Sequence, residues 1–143
     1  MQTSKKLSLL CLALLLAACA GQPAAEAPVQ GTPIEVAGGS YNDVSVAELQ
    51  TMLENKDFLF INVHIPFEGD IANTDLSIPY DEIADNLDLL PAEKDAKIVL
   101  YCRSDRMSRI AAETLIGLGF TNLYNLDGGM VAWEAAGLEL QGQ

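Results

Sequence analysis

The stretch Leu100-Tyr101-Cys102-Arg103-Ser104-Asp105-Arg106-Met107-Ser108-Arg109 decides how this chain is read. Ile98 to Tyr101 is an unbroken apolar run, the pattern of a strand buried on both faces. From Ser108 to Leu118 the apolar residues Ile110, Ala111, Leu115 and Leu118 recur at helical spacing, and Gly119 supplies a C-terminal stop. Cys102 therefore stands where a strand ends and a tight loop turns into a helix. The first N–H groups of a helix have no partner within it, and its dipole places partial positive charge there. Arg103, Arg106 and Arg109 fall within seven residues of one another, directly after the cysteine. Such surroundings favour the thiolate, the nucleophilic form, and the same donors suit a small anion. The bland alternative is a small buried hydrophobe closing a strand. The three arginines would then be solvated charges on a helix face.

Outward from this loop the pattern repeats. Ser45-Val46-Ala47-Glu48 is a capping box, and a helix is expected from it to about Glu54. Phe58 to Val63 and Asn122 to Leu126 read as further buried strands. Tyr80 to Leu90 is expected to be helical, stopped before Pro91. Asp127-Gly128-Gly129 is a turn, and Met130 to Ala136 a short helix ended by Gly137. Strands alternating with helices predict an α/β domain, a mostly parallel central sheet flanked by helices. Ligands of such sheets bind where strand C-termini meet helix N-termini. Cys102 is at such a junction.

The N-terminus reads as an address. Lys5 and Lys6 precede an apolar run from Leu7 to Ala18. As a helix, that run would span only about 18 Å, short of a bilayer core of about 30 Å, so it is read as a signal peptide. Leu16-Ala17-Ala18-Cys19 resembles the lipobox of bacterial lipoproteins. The resemblance implies cleavage after residue 18, lipidation of Cys19 and loss of Cys11, with Cys102 the one thiol left. Ala20 resembles the outer-membrane sorting signal of diderm bacteria. The expected product is extracytoplasmic, held to a membrane by lipid at Cys19 and facing the periplasm in a diderm. Residues 19–40, rich in Ala, Gly, Pro and Gln, are expected to form a flexible tether reaching about 25 Å. The domain is then residues 41–143.

The 143 residues carry 8 basic and 20 acidic side chains, a formal charge of −12. That balance repels nucleic acid and anionic headgroups and argues against either as a partner. No residues have metal-ligand spacing, and no second cysteine completes a zinc or CxxC site. Neither a metal nor a cofactor is expected.

Four pieces together resemble the rhodanese-like family over about residues 41–140. The Cys102 loop, six residues counted from the cysteine, is similar to that family's active-site loop. Phe60-Ile61-Asn62-Val63-His64 resembles its Asp-Val-Arg strand end, and Leu76-Ser77-Ile78-Pro79 its Ile-Pro turn. Leu126-Asp127-Gly128-Gly129-Met130-Val131-Ala132-Trp133 resembles its Gly-Gly…Trp signature. The resemblance implies a small rhodanese-like domain and a sulfurtransferase. In it, Cys102 is the nucleophile, and Arg103, Ser104, Asp105, Arg106 and Met107 hold the substrate. Arg109 and His64 are accessory candidates. His64, the only histidine, is either a general base for an acceptor thiol or a structural residue at a strand end. Trp133 reads as core. The implied partners are a small anionic sulfur donor and an acceptor that is cyanide, a thiol or a protein.

Departures from the family pattern fall inside the site. Asp105 stands where Gly is frequent and Met107 where Arg is. Asn62 and His64 replace Asp and Arg, and Asp70 follows Gly69 in place of His. Asp105 tolerates left-handed backbone, but its carboxylate would repel an anion unless an arginine neutralised it. These departures leave a persulfide carrier or docking module as an alternative. An arsenate reductase or phosphatase is a further one, although its Cys-x5-Arg pattern would need arginine where Ser108 stands.

Overall fold

A computed structural model describes residues 31–143. The expected signal peptide, the expected lipidation site Cys19 and most of the expected tether lie outside the described residues. The elements are β1 (Thr32–Val36), β2 (Gly39–Val44), α1 (Val46–Glu54), β3 (Leu59–Asn62), β4 (Leu76–Ser77), β5 (Ile98–Tyr101), α2 (Arg106–Gly117), β6 (Leu123–Leu126) and α3 (Gly129–Ala135). A 3-10 segment, Ile83–Leu89, lies between β4 and β5. The six strands form one sheet in the order β1-β2-β6-β5-β3-β4. Only the β1–β2 pair is antiparallel.

β5 lies in the middle of the sheet, and its alternation divides the core in two. Ile98 and Leu100 pack with Ala111, Ala112 and Leu115 of α2. Val99 and Tyr101 pack on the other face with Leu49 of α1 and with Met130 and Trp133 of α3. This double burial explains the continuous apolar run: β5 has no solvent face. Continuing the alternation by one residue puts Cys102 on the α2 side. Ser45 caps α1 as expected. Its N–H donates to Glu48 Oε2 at 2.8 Å, and the Glu48 N–H donates to Ser45 Oγ at 3.3 Å.

Two expectations are corrected. The tether expected over residues 19–40 is structured in its last part. Residues 32–44 form a hairpin turning at Ala37-Gly38, with Gly38 at φ +90°. Ile34 and Val36 pack against the α2-side core, and β2 adds to β6. Pro33 fits there because β1 is an edge strand. The helix expected over Tyr80 to Leu90 is a 3-10 segment kinked at Asn86. Ile83 is its single buried anchor, while Leu87 and Leu89 face solvent. One anchor cannot hold a regular amphipathic helix against the sheet.

Candidate active site

Cys102 follows directly on β5, and Asp105 is the N-cap of α2. The cysteine is 2% exposed, yet it is not sealed in the core. It borders a cavity of about 220 Å³ shared with His64, Arg103, Ser104, Arg106 and Met107. Ser108 Oγ lies 3.4 Å from the sulfur and 3.0 Å from the Asp105 carbonyl oxygen, so its proton can serve either. Ser108 is fully buried in the first turn of α2, which begins two residues earlier than the spacing predicts.

The loop is seated on α3. The Met130 N–H donates to the Cys102 carbonyl at 2.9 Å, and the Val131 N–H donates to the Arg103 carbonyl at 3.0 Å. These contacts use the free amides of the first turn of α3 to fix the loop carbonyls. Among the described residues, the N–H groups of residues 103–107 have no protein acceptor. Gly129 makes the seat possible. A Cβ there would overlap the Cys102 carbonyl oxygen and lie 2.8 Å from the carbonyl carbon and oxygen of Arg103.

Asp105 departs from its expected role. Its backbone has φ +81°, as the glycine-like position requires. Its side chain does not border the cavity. Oδ1 accepts from the Gly128 N–H at 2.8 Å and from Asn125 Nδ2 at 3.2 Å. The carboxylate thus ties the loop to the β6–α3 turn.

Arg109 is likewise taken from the anion island. Its Nη2 donates to Asp43 Oδ2 at 3.1 Å and to Asp127 Oδ1 at 3.3 Å. Asn125 Nδ2 also donates to Asp43 Oδ1 at 2.8 Å. Burial pushes the Asp43 carboxyl above its ordinary range, against the opposing pull of Asn125 and Arg109. Arg103 and Arg106 remain exposed at the cavity. Arg103 Nη1 donates to Glu68 Oε2 at 3.3 Å. Arg106 makes no ion pair among the described residues.

From the segment after β3, His64 lines the cavity. Asn62 is buried, and its Oδ1 accepts from the His64 N–H at 3.0 Å. Its Nδ2 donates to the Gly69 carbonyl and to Asp70 Oδ1. Asp70 Oδ1 also accepts from Tyr101 Oη at 3.1 Å, so the segment is pinned to β5. His64 Nε2 and Glu68 Oε2 are 2.6 Å apart.

Sequence reasoning missed Glu68, Asp43, Asn125 and Ser108. Asn62 and Asn125 did carry a signal: each is a polar residue inside a strand read as buried, and buried polar groups need partners.

Together the fold and site define an α/β protein that presents a strand-end thiol at an arginine-flanked cavity. The Rhodanese-like domain family matches residues 45–136, and the chain belongs to that family, which has sulfurtransferase members. Thiosulfate sulfurtransferase GlpE of Pseudoalteromonas translucida is 28% identical over 101 residues, covering 68% of this chain and 92% of that protein. The tRNA uridine(34) hydroxylase of Erwinia tasmaniensis is 30% identical over 101 residues, and the chain spans only 28% of its length. A rhodanese-like domain protein from Staphylococcus aureus superposes with a TM-score of 0.58 at 32% identity, covering 70% of this chain and 98% of that one.

Proposed function

We propose that this protein is an extracytoplasmic, lipid-anchored sulfurtransferase that moves sulfane sulfur through a persulfide on Cys102. The carrying observation is the placement of Cys102 beside Arg103, Arg106 and the unpaired loop amides, in one cavity. The Cys102 thiolate attacks the outer sulfur of thiosulfate or a polysulfide. Sulfite, or a shortened chain, leaves with the bonding electron pair. The persulfide rests against the loop amides until a thiol or cyanide removes its outer sulfur. This is covalent catalysis in two half-reactions. Arg103 and Arg106 draw in the anionic donor.

The test is intact mass after thiosulfate treatment. A gain of one sulfur, lost on adding cyanide and missing from Cys102→Ser, is the expected result. No gain with thiosulfate or polysulfide would end the reading. A carrier with little turnover is the second reading, favoured by Met107, which gives the cavity a thioether where the family pattern offers a cation. A stable persulfide with negligible steady-state cyanide turnover would select it. The phosphatase alternative loses ground, because Ser108 closes the loop on the sulfur where that chemistry needs arginine.

A further inference from the structure

Glu68 stands beside the sulfur site without lining it. Its Oε2 accepts from Arg103 Nη1 at 3.3 Å and lies 2.6 Å from His64 Nε2, and both partners border the Cys102 cavity. The guanidinium that would meet an incoming anion therefore already faces a carboxylate. Arg109 is held by Asp43 and Asp127. Arg106 borders the cavity without an ion pair among the described residues. With Cys102 ionised and His64 neutral, the positive Arg103 and Arg106 are offset by the negative Cys102 and Glu68. A doubly charged donor brings two uncompensated negative charges into this balance, and a singly charged donor only one. Met107 adds uncharged thioether surface to the cavity wall, which suits an alkyl substituent better than an anionic oxygen.

Resting on the sulfur-transfer reading, we infer that Glu68 is a specificity-determining residue: through Arg103 it turns the site toward singly charged sulfane donors, organic thiosulfonates above all, and against the thiosulfate dianion. In a thiosulfonate an alkyl group replaces one thiosulfate oxygen and, with it, one negative charge. The Cys102 thiolate attacks the outer sulfur. A bond from Cys102 Sγ to that sulfur forms as its bond to the sulfonyl sulfur breaks, and the sulfinate leaves with the bonding pair. The persulfide is formed as its anion, and no proton moves. The step is the one thiosulfate undergoes, with sulfinate leaving in place of sulfite. The two donors thus differ in charge and in one substituent, not in reaction.

Glu68→Gln tests this, because its amide oxygen can still accept from Arg103 and His64 while the charge is gone. Persulfide loading of Cys102 is followed by intact mass against the concentration of thiosulfate or of methanethiosulfonate, in mildly alkaline buffer of low, constant ionic strength. In the original protein, methanethiosulfonate is expected to half-saturate loading at the lower concentration. In Glu68→Gln, the thiosulfate-to-methanethiosulfonate ratio of half-saturating concentrations is expected to fall about threefold, within the worth of one exposed charge. The lost charge acts twice as strongly on the dianion. Salt at about 1 M should erase the shift, since the screening length is then about 3 Å. Glu54→Gln, at an exposed position in the last turn of α1, removes the same net charge and should leave the ratio unchanged. A Glu68→Gln ratio within about 1.5-fold of the original overturns the assignment, being too small for a facing charge. So does an equal shift in Glu54→Gln, a shift that survives the salt, or an original protein that half-saturates at lower thiosulfate. Failure of the original protein to load from either donor would instead overturn the sulfur-transfer reading.

Discussion

Gly129→Ala probes the seat of the loop. The glycine has φ +54°, and an added methyl would strike the carbonyls of Cys102 and Arg103. Positive φ costs an L-residue about 1–2 kcal/mol, and overpacking adds about 1–3 kcal/mol. A loss of about 3 kcal/mol is therefore expected, which many domains of this size survive. Relieving the overlap displaces the Cys102–Arg103 backbone by a distance on the order of 1 Å, enough to slow a positioned reaction about 10²-fold. Gly137→Ala is the control. Gly137 has φ +81° but nothing within 4 Å of an added Cβ, so it should lose about 1–2 kcal/mol and load sulfur normally. Urea midpoints give the stabilities, and intact mass gives the rate of persulfide loading from saturating thiosulfate. If Gly129→Ala loads as fast as Gly137→Ala while losing more stability, the α3 seat does not position the sulfur.

Arg109→Gln should lower stability by about 1–2 kcal/mol, through the loss of charged hydrogen bonds, and leave the thiosulfate concentration for half-maximal loading unchanged. Arg106→Gln should raise that concentration several-fold with little change in urea midpoint; the reverse pattern would return Arg109 to the anion site. Full-length chain made in a diderm bacterium should partition with membranes, and Cys19→Ser should release it to the soluble fraction. Equal partitioning of the two would dismiss the lipid anchor.

Much of the site was legible because its signals are local. The apolar run of β5, the three arginines and the helical spacing after Ser108 lie within 25 residues of Cys102. The Ser45–Glu48 capping box spans three residues and formed as read. The hairpin over residues 32–44 was not legible. Its composition is that of a linker, and its stability comes from pairing with β6, some eighty residues away. Asp105 shows the same divide. Its tolerance of positive φ follows from its chemistry, but its carboxylate partners, Asn125 and Gly128, are brought to it only by the sheet order.

The sequence by itself determined the α/β alternation, the family, and the cysteine at a strand-to-helix junction, because periodicity and helix capping act over a few residues. Tertiary structure alone decided which charges face the sulfur. It drew Arg109 to Asp43 and Asp127, turned Asp105 toward β6, and put His64 on the same cavity as Cys102. Charges act through space, and the sheet brings together residues that the chain holds far apart.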